Sequence, residues 1–331
     1  MCEQPEGPLT ASGSTLQMFS PTKGIAVGGP EQTTMYNIDC SYRNATGCCK
    51  WTMINPDYSF CTSNWGIANE ASFINKTHGY ALGNRCYKYR PWGIYSTTNG
   101  GRTWTQVLDV QPNAISRIKF KDWENGIMVT PKGIEVTSDG GKTWQITWEA
   151  NLEHGDFGNT PFAWQWVDDD TAYACATNDL LLSSTKSVAI KTMDAGKTWS
   201  LLPPLPNNTQ QCIGIGFANK TRGFLVMYDS YYTTTDGGNN WKEETWIWLR
   251  SIVVHPSFFF YNSTYGIVSD VAGFDATPKY THDGGRTWHD STFPGGAGGY
   301  ISSGMVQFSD KPLYSVFDYS QSSENKEYNF L

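Results

Sequence analysis

Charged residues are scarce and unbalanced in this chain of 331 residues. Asp, Glu, Lys and Arg make up 17% of the sequence, against about 25% in an average soluble domain. The 24 Lys and Arg residues are outnumbered by 31 Asp and Glu residues, which gives a formal net charge of −7. Proteins that bind nucleic acid through its phosphates rely on a basic surface, so this composition excludes a nucleic-acid partner.

Long hydrophobic runs are also absent. The most apolar stretch, residues 246–261, is interrupted by Arg250 and Pro256. It is too short to cross a bilayer, so we predict no membrane span. The first 25 residues lack the apolar core of a signal peptide.

Metal-binding patterns are missing from the sequence. No Cys-x-x-Cys occurs, no Cys and His stand at zinc spacing, and the five histidines are scattered. We therefore predict no metal and no cofactor. Helical periodicity never persists for three turns, which predicts an all-β fold.

Cysteines, by contrast, are clustered. Six of the eight precede residue 87, and their even number predicts two or three disulfides there, with a separate candidate pair of Cys175 and Cys212. The alternative is buried free thiols in a cytosolic protein, and connectivity cannot be deduced from sequence. The disulfide candidates are Cys2, Cys40, Cys48, Cys49, Cys61, Cys86, Cys175 and Cys212.

Five Asn-x-Ser/Thr sequons point towards export, although a similar number would arise by chance. Three of them occupy the same slot of a repeat, at an expected exposed turn. With the cysteines, they predict a secreted or cell-surface glycoprotein whose signal peptide is not in this sequence. The N-glycosylation candidates are Asn44, Asn75, Asn207, Asn219 and Asn262.

An eight-residue pattern occurs five times and is the strongest signal in the chain. Its copies are residues 97–104, 137–144, 192–199, 234–241 and 281–288. The third position holds Asp or Asn, whose side chain can fold onto backbone amides, and the following glycines supply the positive φ of a tight hairpin. A calcium loop is the alternative, but one carboxylate per copy is too few for Ca²⁺. The residues assigned to structural turns are Asn99, Asp139, Asp194, Asp236 and Asp283, with the tryptophans Trp104, Trp144, Trp199, Trp241 and Trp288.

A second pattern interleaves with the first. It consists of an aromatic anchor, a polar turn, a small residue and an apolar strand, and it recurs at Phe19, Phe73, Phe120, Trp166, Phe217, Phe260 and Phe308. Units of this length with four strands each are typical of β-propeller blades. We predict a single seven-bladed propeller domain spanning residues 1–331. We expect residues 9–18 to close the ring by completing the short last blade, and residues 40–51 to form a disulfide-bearing insertion.

The five segments resemble the Asp-box, or BNR, repeat, with Asn99 replacing Asp and Asn240 replacing Thr as departures. The chain resembles photosystem II stability/assembly-factor propellers and sortilin-like propellers more than sialidases. The first resemblance implies a non-catalytic assembly chaperone in an organelle. Sortilin-type receptors use ten blades, for which this chain is too short.

Two families of Asp-box enzymes offer the alternative of a glycoside hydrolase. Sialidases need an arginine triad, a Tyr/Glu pair and an acid/base Asp, and no arginine spacing here marks that triad. Xyloglucan-active glycosidases use an Asp pair between two propellers, which one ring cannot form. Asp168-Asp169-Asp170 could hold an acid/base pair, but the run fills a turn slot; Asp270 and Asp275 could line a channel mouth.

These observations favour a non-catalytic secreted or cell-surface propeller that serves as a binding or structural scaffold. We expect its partner to be a protein or a carbohydrate, since the aromatic-rich residues 144–166 and 241–248 could stack on sugar rings. Self-assembly is an extension of this hypothesis. The alternatives are a sialidase-like or other glycoside hydrolase and an organelle assembly factor.

Overall fold

The structure is a computed structural model, and every regular element in its described residues is a β-strand. It describes residues 15–20, 23–28, 34–39, 41, 50–54, 71–83, 92–110, 117–130, 132–149, 163–177, 187–205, 212–227, 230–244, 257–260, 263–269, 279–290, 300–306 and 315–319. The predicted all-β fold is thereby confirmed for this part of the chain.

Strands follow one another at short intervals along the described residues. In chain order they are β1 Thr15–Ser20, β2 Lys23–Gly28, β3 Thr34–Asp39, β4 Lys50–Met53, β5 Ala71–Phe73, β6 Gly79–Gly83, β7 Trp92–Thr97, β8 Thr105–Val110, β9 Arg117–Phe120, β10 Gly126–Thr130, β11 Gly133–Thr137, β12 Gln145–Glu149, β13 Ala163–Trp166, β14 Ala172–Thr177, β15 Ser187–Thr192, β16 Ser200–Leu201, β17 Cys212–Phe217, β18 Gly223–Met227, β19 Tyr231–Thr234, β20 Lys242–Glu244, β21 Ser257–Phe260, β22 Gly266–Ser269, β23 Lys279–Thr281, β24 His289–Asp290, β25 Tyr300–Val306 and β26 Ser315–Tyr319.

Four consecutive strands make each sheet. In the described residues, β1–β4, β5–β8, β9–β12, β13–β16, β17–β20 and β21–β24 form six four-stranded sheets, numbered here first to sixth, and β25 pairs with β26. Chain order equals spatial order in every four-stranded sheet, so each sheet is a meander of antiparallel strands.

The chain divides into two compact units, residues 1–131, 135–145 and 301–331 in one and residues 132–134 and 146–300 in the other. In the first unit, β5 lies beside both β1 and β9. In the second unit, β17 lies beside both β13 and β21. The first strands of consecutive sheets are therefore neighbours within each unit.

The hydrophobic core of each unit lies between neighbouring sheets. In the first unit, Tyr80 and Leu82 of the second sheet pack with Ile118 and Phe120 of the third. In the second unit, Tyr173 of the fourth sheet packs with residues of the fifth. These apolar side chains alternate along their strands, so neighbouring sheets within a unit bury their faces against each other.

The aromatic anchors end the first strands of their sheets. Phe73, Phe120, Trp166, Phe217 and Phe260 are the last residues of β5, β9, β13, β17 and β21, and Phe19 is the next-to-last residue of β1. Phe308 lies outside the described residues. The stretch expected to close the ring lies partly in the first sheet, because Leu16 pairs with Ala26 and Met18 with Gly24. Residues 9–14, like residues 42–49 of the expected insertion, lie outside the described part.

Candidate functional site at the paired turns

The eight-residue segment, hereafter the box, forms a hairpin that is closed by its own side chains. In the last copy, buried Thr281 Oγ1 donates to Asp283 Oδ1 at 2.8 Å and accepts from the Gly285 amide at 2.8 Å. Asp283 in turn accepts from the Thr287 amide at 2.9 Å and from its hydroxyl at 2.7 Å. The carboxylate is fully engaged inside the turn, which gives it a structural rather than a chemical role.

Both departures from the family pattern preserve these bonds. In the first copy, Asn99 Oδ1 accepts from the Thr103 amide at 2.9 Å, while Asn99 Nδ2 donates to Thr103 Oγ1 at 2.8 Å. In the fourth copy, Asn240 Nδ2 donates to Asp236 Oδ2 at 2.7 Å, where other copies use a threonine hydroxyl. In the first copy the side-chain hydrogen bond runs in the reverse direction, and in the fourth an amide replaces the hydroxyl donor. The hairpin stays closed in both copies.

Each box is also tied to a second turn of the same sheet, the anchor turn, which follows the aromatic anchor. The amides of Gly100, Gly140, Ala195, Gly237 and Gly284 donate to the carbonyls of Thr77, Glu124, Asp170, Thr221 and Thr264, at 2.7–2.9 Å. In each of these five sheets, one backbone hydrogen bond thus joins the box to the anchor turn. This pair of turns is the most regular polar structure in the described residues.

Contacts between sheets follow the same repeat. Tyr173 of the fourth sheet stacks on Phe217 of the fifth at 3.5 Å and donates its hydroxyl to the Lys220 carbonyl at 2.8 Å. Tyr80 stacks on Phe120 at 3.5 Å and donates to the Trp123 carbonyl at 2.9 Å. Burial of the two phenols raises the pKa of both to about 12, so they remain proton donors at neutral pH.

The box tryptophans pack edge-on against the aromatic anchor of their own sheet. Trp104 meets Phe73 at 6.1 Å and Trp241 meets Phe217 at 6.3 Å between ring centroids. Trp104 also donates its indole N–H to the Gly101 carbonyl at 3.1 Å. These rings are therefore used in packing within the sheet, which the spacing of the two patterns alone did not reveal.

The box carboxylates are strongly acidic. The Thr143 hydroxyl and the Thr143 amide both donate hydrogen bonds to Asp139, and these bonds lower its pKa to about 2. Partial burial raises the pKa of Asp283, but bonds from the Thr287 amide and hydroxyl outweigh it and lower the value to about 2. Hydrogen bonds to the ionised form are the cause in both residues.

Acid is therefore expected to destabilise the fold. A pKa that is lower in the folded chain than the ordinary 3.8 adds stability that is complete above the unfolded value and is lost as the pH falls towards about 2. We expect urea midpoints to fall steeply between about pH 4 and pH 2. Asp139→Asn should reduce that slope, because Asn99 shows that an amide can serve in the box. A slope unchanged by the substitution would contradict the assignment.

Thr281→Val should destabilise the chain more than Thr281→Ser. Valine has the shape of threonine but leaves the Gly285 amide and Asp283 without the hydroxyl, which costs about 2 kcal/mol of unfolding free energy. Serine keeps the hydroxyl and removes only a methyl group, about 1 kcal/mol. Chemical denaturation of the two variants measures the difference, and equal losses would show that the hydroxyl bonds add nothing.

One pair of the predicted disulfide cysteines lies in the described residues. Cys175 on β14 is bonded to Cys212 on β17, with a Cα–Cα distance of 6.2 Å, and both are fully buried. The bond joins the fourth and fifth sheets. The other six candidates, Cys2, Cys40, Cys48, Cys49, Cys61 and Cys86, lie outside the described residues.

Two sequon asparagines are also described, and both occupy an anchor turn. Asn219 Oδ1 accepts from the amides of Thr221 and Arg222 at 2.9 and 2.8 Å, and Asn75 makes the corresponding bonds. Asp122 and Asp168 do the same in the third and fourth sheets. The turn thus explains an Asx residue in this slot without a glycan. Asn44, Asn207 and Asn262 lie outside the described residues.

Asp168, the first residue of the acidic run considered for catalysis, is engaged in its turn. Asp168 accepts from the Thr171 amide at 2.8 Å and pairs with Lys220 at 2.7 Å. Although slight burial raises the pKa of Asp168, these bonds lower it to about 2. Arg222, one of the few arginines outside the boxes, donates to the carbonyls of Gly284 and Gly285 at 3.2 Å, so it is engaged in structural contacts as well. Asp270 and Asp275 lie outside the described part.

One surface at these turns was missed by the sequence analysis. Trp123 is 41% exposed. Its ring packs against that of His78 in a T-shaped arrangement, with 5.0 Å between the ring centroids. Lys76 and His78 lie on the same anchor turn. That turn is hydrogen-bonded to the box that carries Arg102. The side chains of Lys76 and Arg102 are both exposed. We call Lys76, His78, Arg102 and Trp123 the turn surface.

The two turns of the second sheet, which carry Lys76, His78 and Arg102, differ in charge from the other pairs of turns. Trp123 belongs to the third sheet and lies between Asp122 and Glu124. The second sheet has Asn75 and Asn99 in its two Asx slots, whereas each of the four boxes in the third to sixth sheets contains an aspartate. Aligning the anchor turns would have shown that Trp123 stands where others have Lys76, Asp169 or Lys220. The contact with His78 could not be foreseen, since it joins two sheets.

Among the described residues, no cluster of three or more His, Cys, Asp or Glu side chains could hold a metal ion. In the same residues, no helix has the length and apolar character to span a membrane.

The BNR/Asp-box repeat family matches residues 279–290, which confirms the Asp-box identification. A structure of YCF48 bound to a D1 peptide is similar over 96% of both chains, with 19% identity and a TM-score of 0.60. YCF48 from Cyanidioschyzon merolae is similar over 94% of this chain and 95% of its own, with 15% identity and a TM-score of 0.59.

An ancestral GH74 enzyme is also similar in structure, with 12% identity and a TM-score of 0.55. It covers 75% of this chain, but the match spans only 34% of the enzyme. No curated protein matches the chain in sequence. The fold is thus that of an Asp-box β-propeller resembling YCF48.

Proposed function

We propose that this chain is a non-catalytic propeller scaffold that binds a segment of a partner protein. The similarity over 96% of both chains to a propeller bound to a peptide carries the proposal. The box polar groups support a non-catalytic role, because their hydrogen bonds hold the turns closed. An organelle assembly factor is the alternative form of such a scaffold.

The turn surface is our candidate for the contact with the partner. Lys76 and Arg102 are exposed cations without a carboxylate in the two turns of their sheet. Trp123 presents a ring that is 41% exposed and lies against His78 of the anchor turn that carries Lys76. Tryptophan and arginine are enriched among residues that dominate binding energy. We expect the bound segment to combine acidic residues with an aromatic or aliphatic residue, since that chemistry complements both features.

Selection from a displayed library of random peptides tests this surface. The wild-type chain should enrich acidic peptides that contain an apolar residue, and their affinity should fall as salt is raised. Trp123→Ala and the double variant Lys76→Glu/Arg102→Glu should each weaken binding by about tenfold or more.

Matched controls come from the fourth sheet. Lys197→Glu reverses an exposed cation at the box position of Arg102, and Leu201→Ala removes an exposed apolar side chain, 60% accessible. Both should leave affinity unchanged. Enrichment of basic or neutral peptides, or equal losses in the control variants, would overturn the assignment.

A glycoside hydrolase is the less favoured function. A general acid needs a raised pKa, yet the hydrogen bonds of the described turns lower the pKa of Asp122, Asp168, Asp194 and Asp236 despite partial burial of the first three. Carbohydrate binding and self-assembly gain no support from the described residues. Turnover of fluorogenic sialosides or glucosides by the purified chain would reinstate the hydrolase.

Export is part of the proposal. A buried disulfide between Cys175 and Cys212 suits an oxidising compartment. Peptide mass spectrometry of protein from its native source should find this disulfide and a glycan at Asn219, whereas Asn75 beside the turn surface should stay bare. Free thiols and a bare Asn219 would favour an organelle assembly factor instead.

The proposed ring has seven blades. The strands β25 and β26 would belong to the seventh, and residues before Thr15 would complete it. Removal of residues 1–14 should then lower the melting temperature. An unchanged melting temperature would argue against closure by this segment.

A further inference from the structure

Two Asn-Gly dipeptides lie in the paired turns, Asn99-Gly100 in a box and Asn125-Gly126 in an anchor turn. Such pairs deamidate because glycine has no Cβ to hinder its nitrogen. The glycine nitrogen loses its proton to solvent and attacks the side-chain carbonyl carbon, and ammonia leaves. Water then opens the resulting cyclic imide to aspartate or isoaspartate.

The fold protects the first pair. The Gly100 amide donates to the Thr77 carbonyl at 2.8 Å, so its nitrogen is engaged. The Asn99 carboxamide is held at both ends by Thr103, at 2.9 Å through Oδ1 and 2.8 Å through Nδ2. The attack requires these bonds to open, so the reaction in the folded chain is limited by local opening of the turn.

Aspartate is nevertheless a fitting product at position 99. Four other boxes hold aspartate there, and three of them accept from a threonine hydroxyl, as Asp194 does from Thr198 at 2.6 Å. Thr103 needs only to rotate its hydroxyl hydrogen to donate instead of accept. Deamidation with the normal backbone would therefore leave the first box closed, with one added negative charge.

Position 125 offers the opposite case. Asn125 Nδ2 donates to both carboxylate oxygens of Asp122, at 3.0 and 2.9 Å. An aspartate at 125 would place a second carboxylate against the first. Repulsion between like charges at this distance opens the anchor turn.

We propose that Asn99 is a deamidation site that the folded box protects and whose aspartate product it accepts, whereas the same reaction at Asn125 disrupts its turn. The two sites provide matched tests of one reaction. They differ in what the side-chain nitrogen contacts, a hydroxyl in one case and a carboxylate in the other.

Incubation at mildly alkaline pH, followed by peptide mass spectrometry, measures the protection. Conversion of Asn99 should be more than about tenfold slower in the folded chain than in concentrated urea. Equal rates in the two conditions would overturn the protection of the site.

Asn99→Asp and Asn125→Asp then test the two products separately. The Asn99→Asp variant should keep the wild-type melting temperature at neutral pH and become more sensitive to acid. The Asn125→Asp variant should melt several degrees lower. Equal losses in both variants, or a loss only in Asn99→Asp, would overturn the inference.

Discussion

Removal of the Cys175–Cys212 disulfide is expected to cost the second unit about 3 to 4 kcal/mol of unfolding free energy. The bond closes a loop with a sequence separation of 37 and joins the fourth and fifth sheets. Without it, the unfolded chain regains the freedom that the closed loop removes. Urea denaturation of the double variant Cys175→Ala/Cys212→Ala measures the loss.

Reduction of the wild-type chain supplies the control. Both cysteines are fully buried, so reductant should leave the folded chain intact and act only once denaturant has opened the unit. The reduced wild-type chain should then unfold at the midpoint of the double variant. A double variant as stable as the oxidised chain would contradict a stabilising role for this bond.

Gly285→Ala is expected to cost about 3 kcal/mol of unfolding free energy. Gly285 has φ +76°, where a Cβ costs about 1 to 2 kcal/mol. The added Cβ would overlap the ring of fully buried Phe224, and such overpacking adds about 1 to 3 kcal/mol. Chemical denaturation should therefore show one of the largest effects of any single methyl group in this chain.

Gly141→Ala is the matched control. Gly141 occupies the same box position with φ +85°, but its added Cβ would lie 3.3 Å from the nearest atom, Cζ of Phe120. Phe120 must shift by only a few tenths of an ångström, so backbone strain dominates and the expected loss is about 1 to 2 kcal/mol. Equal losses in the two variants would show that packing against Phe224 plays no part.

Local patterns account for the features that the sequence could predict. The box is a short segment whose Asp, glycines and Trp act on each other, so its hairpin follows from eight residues. The all-β fold and the Asp-box identification could be predicted, and are confirmed, because the same local pattern occurs five times in the sequence. How Asn99 replaces Asp in its box could be explained only by the structure, in which the Asn99 side-chain nitrogen donates to the Thr103 hydroxyl.

Contacts between sheets could not be predicted. Tyr173 reaches the Lys220 carbonyl, and Trp123 reaches His78, across distances in sequence that no local pattern encodes. The pattern also gave no reason for the asparagines in the sequons. The structure supplies one, because Asn219 and Asp168 close their anchor turns with the same bonds.

Hydrogen–deuterium exchange with and without a selected acidic peptide tests the central claim most directly, namely that the partner binds the turn surface while the box carboxylates hold the fold. The account predicts slower exchange on binding in residues 74–78 and 121–125, with no change in residues 167–171 of the fourth sheet. Protection in residues 167–171, without any in the second and third sheets, would contradict it.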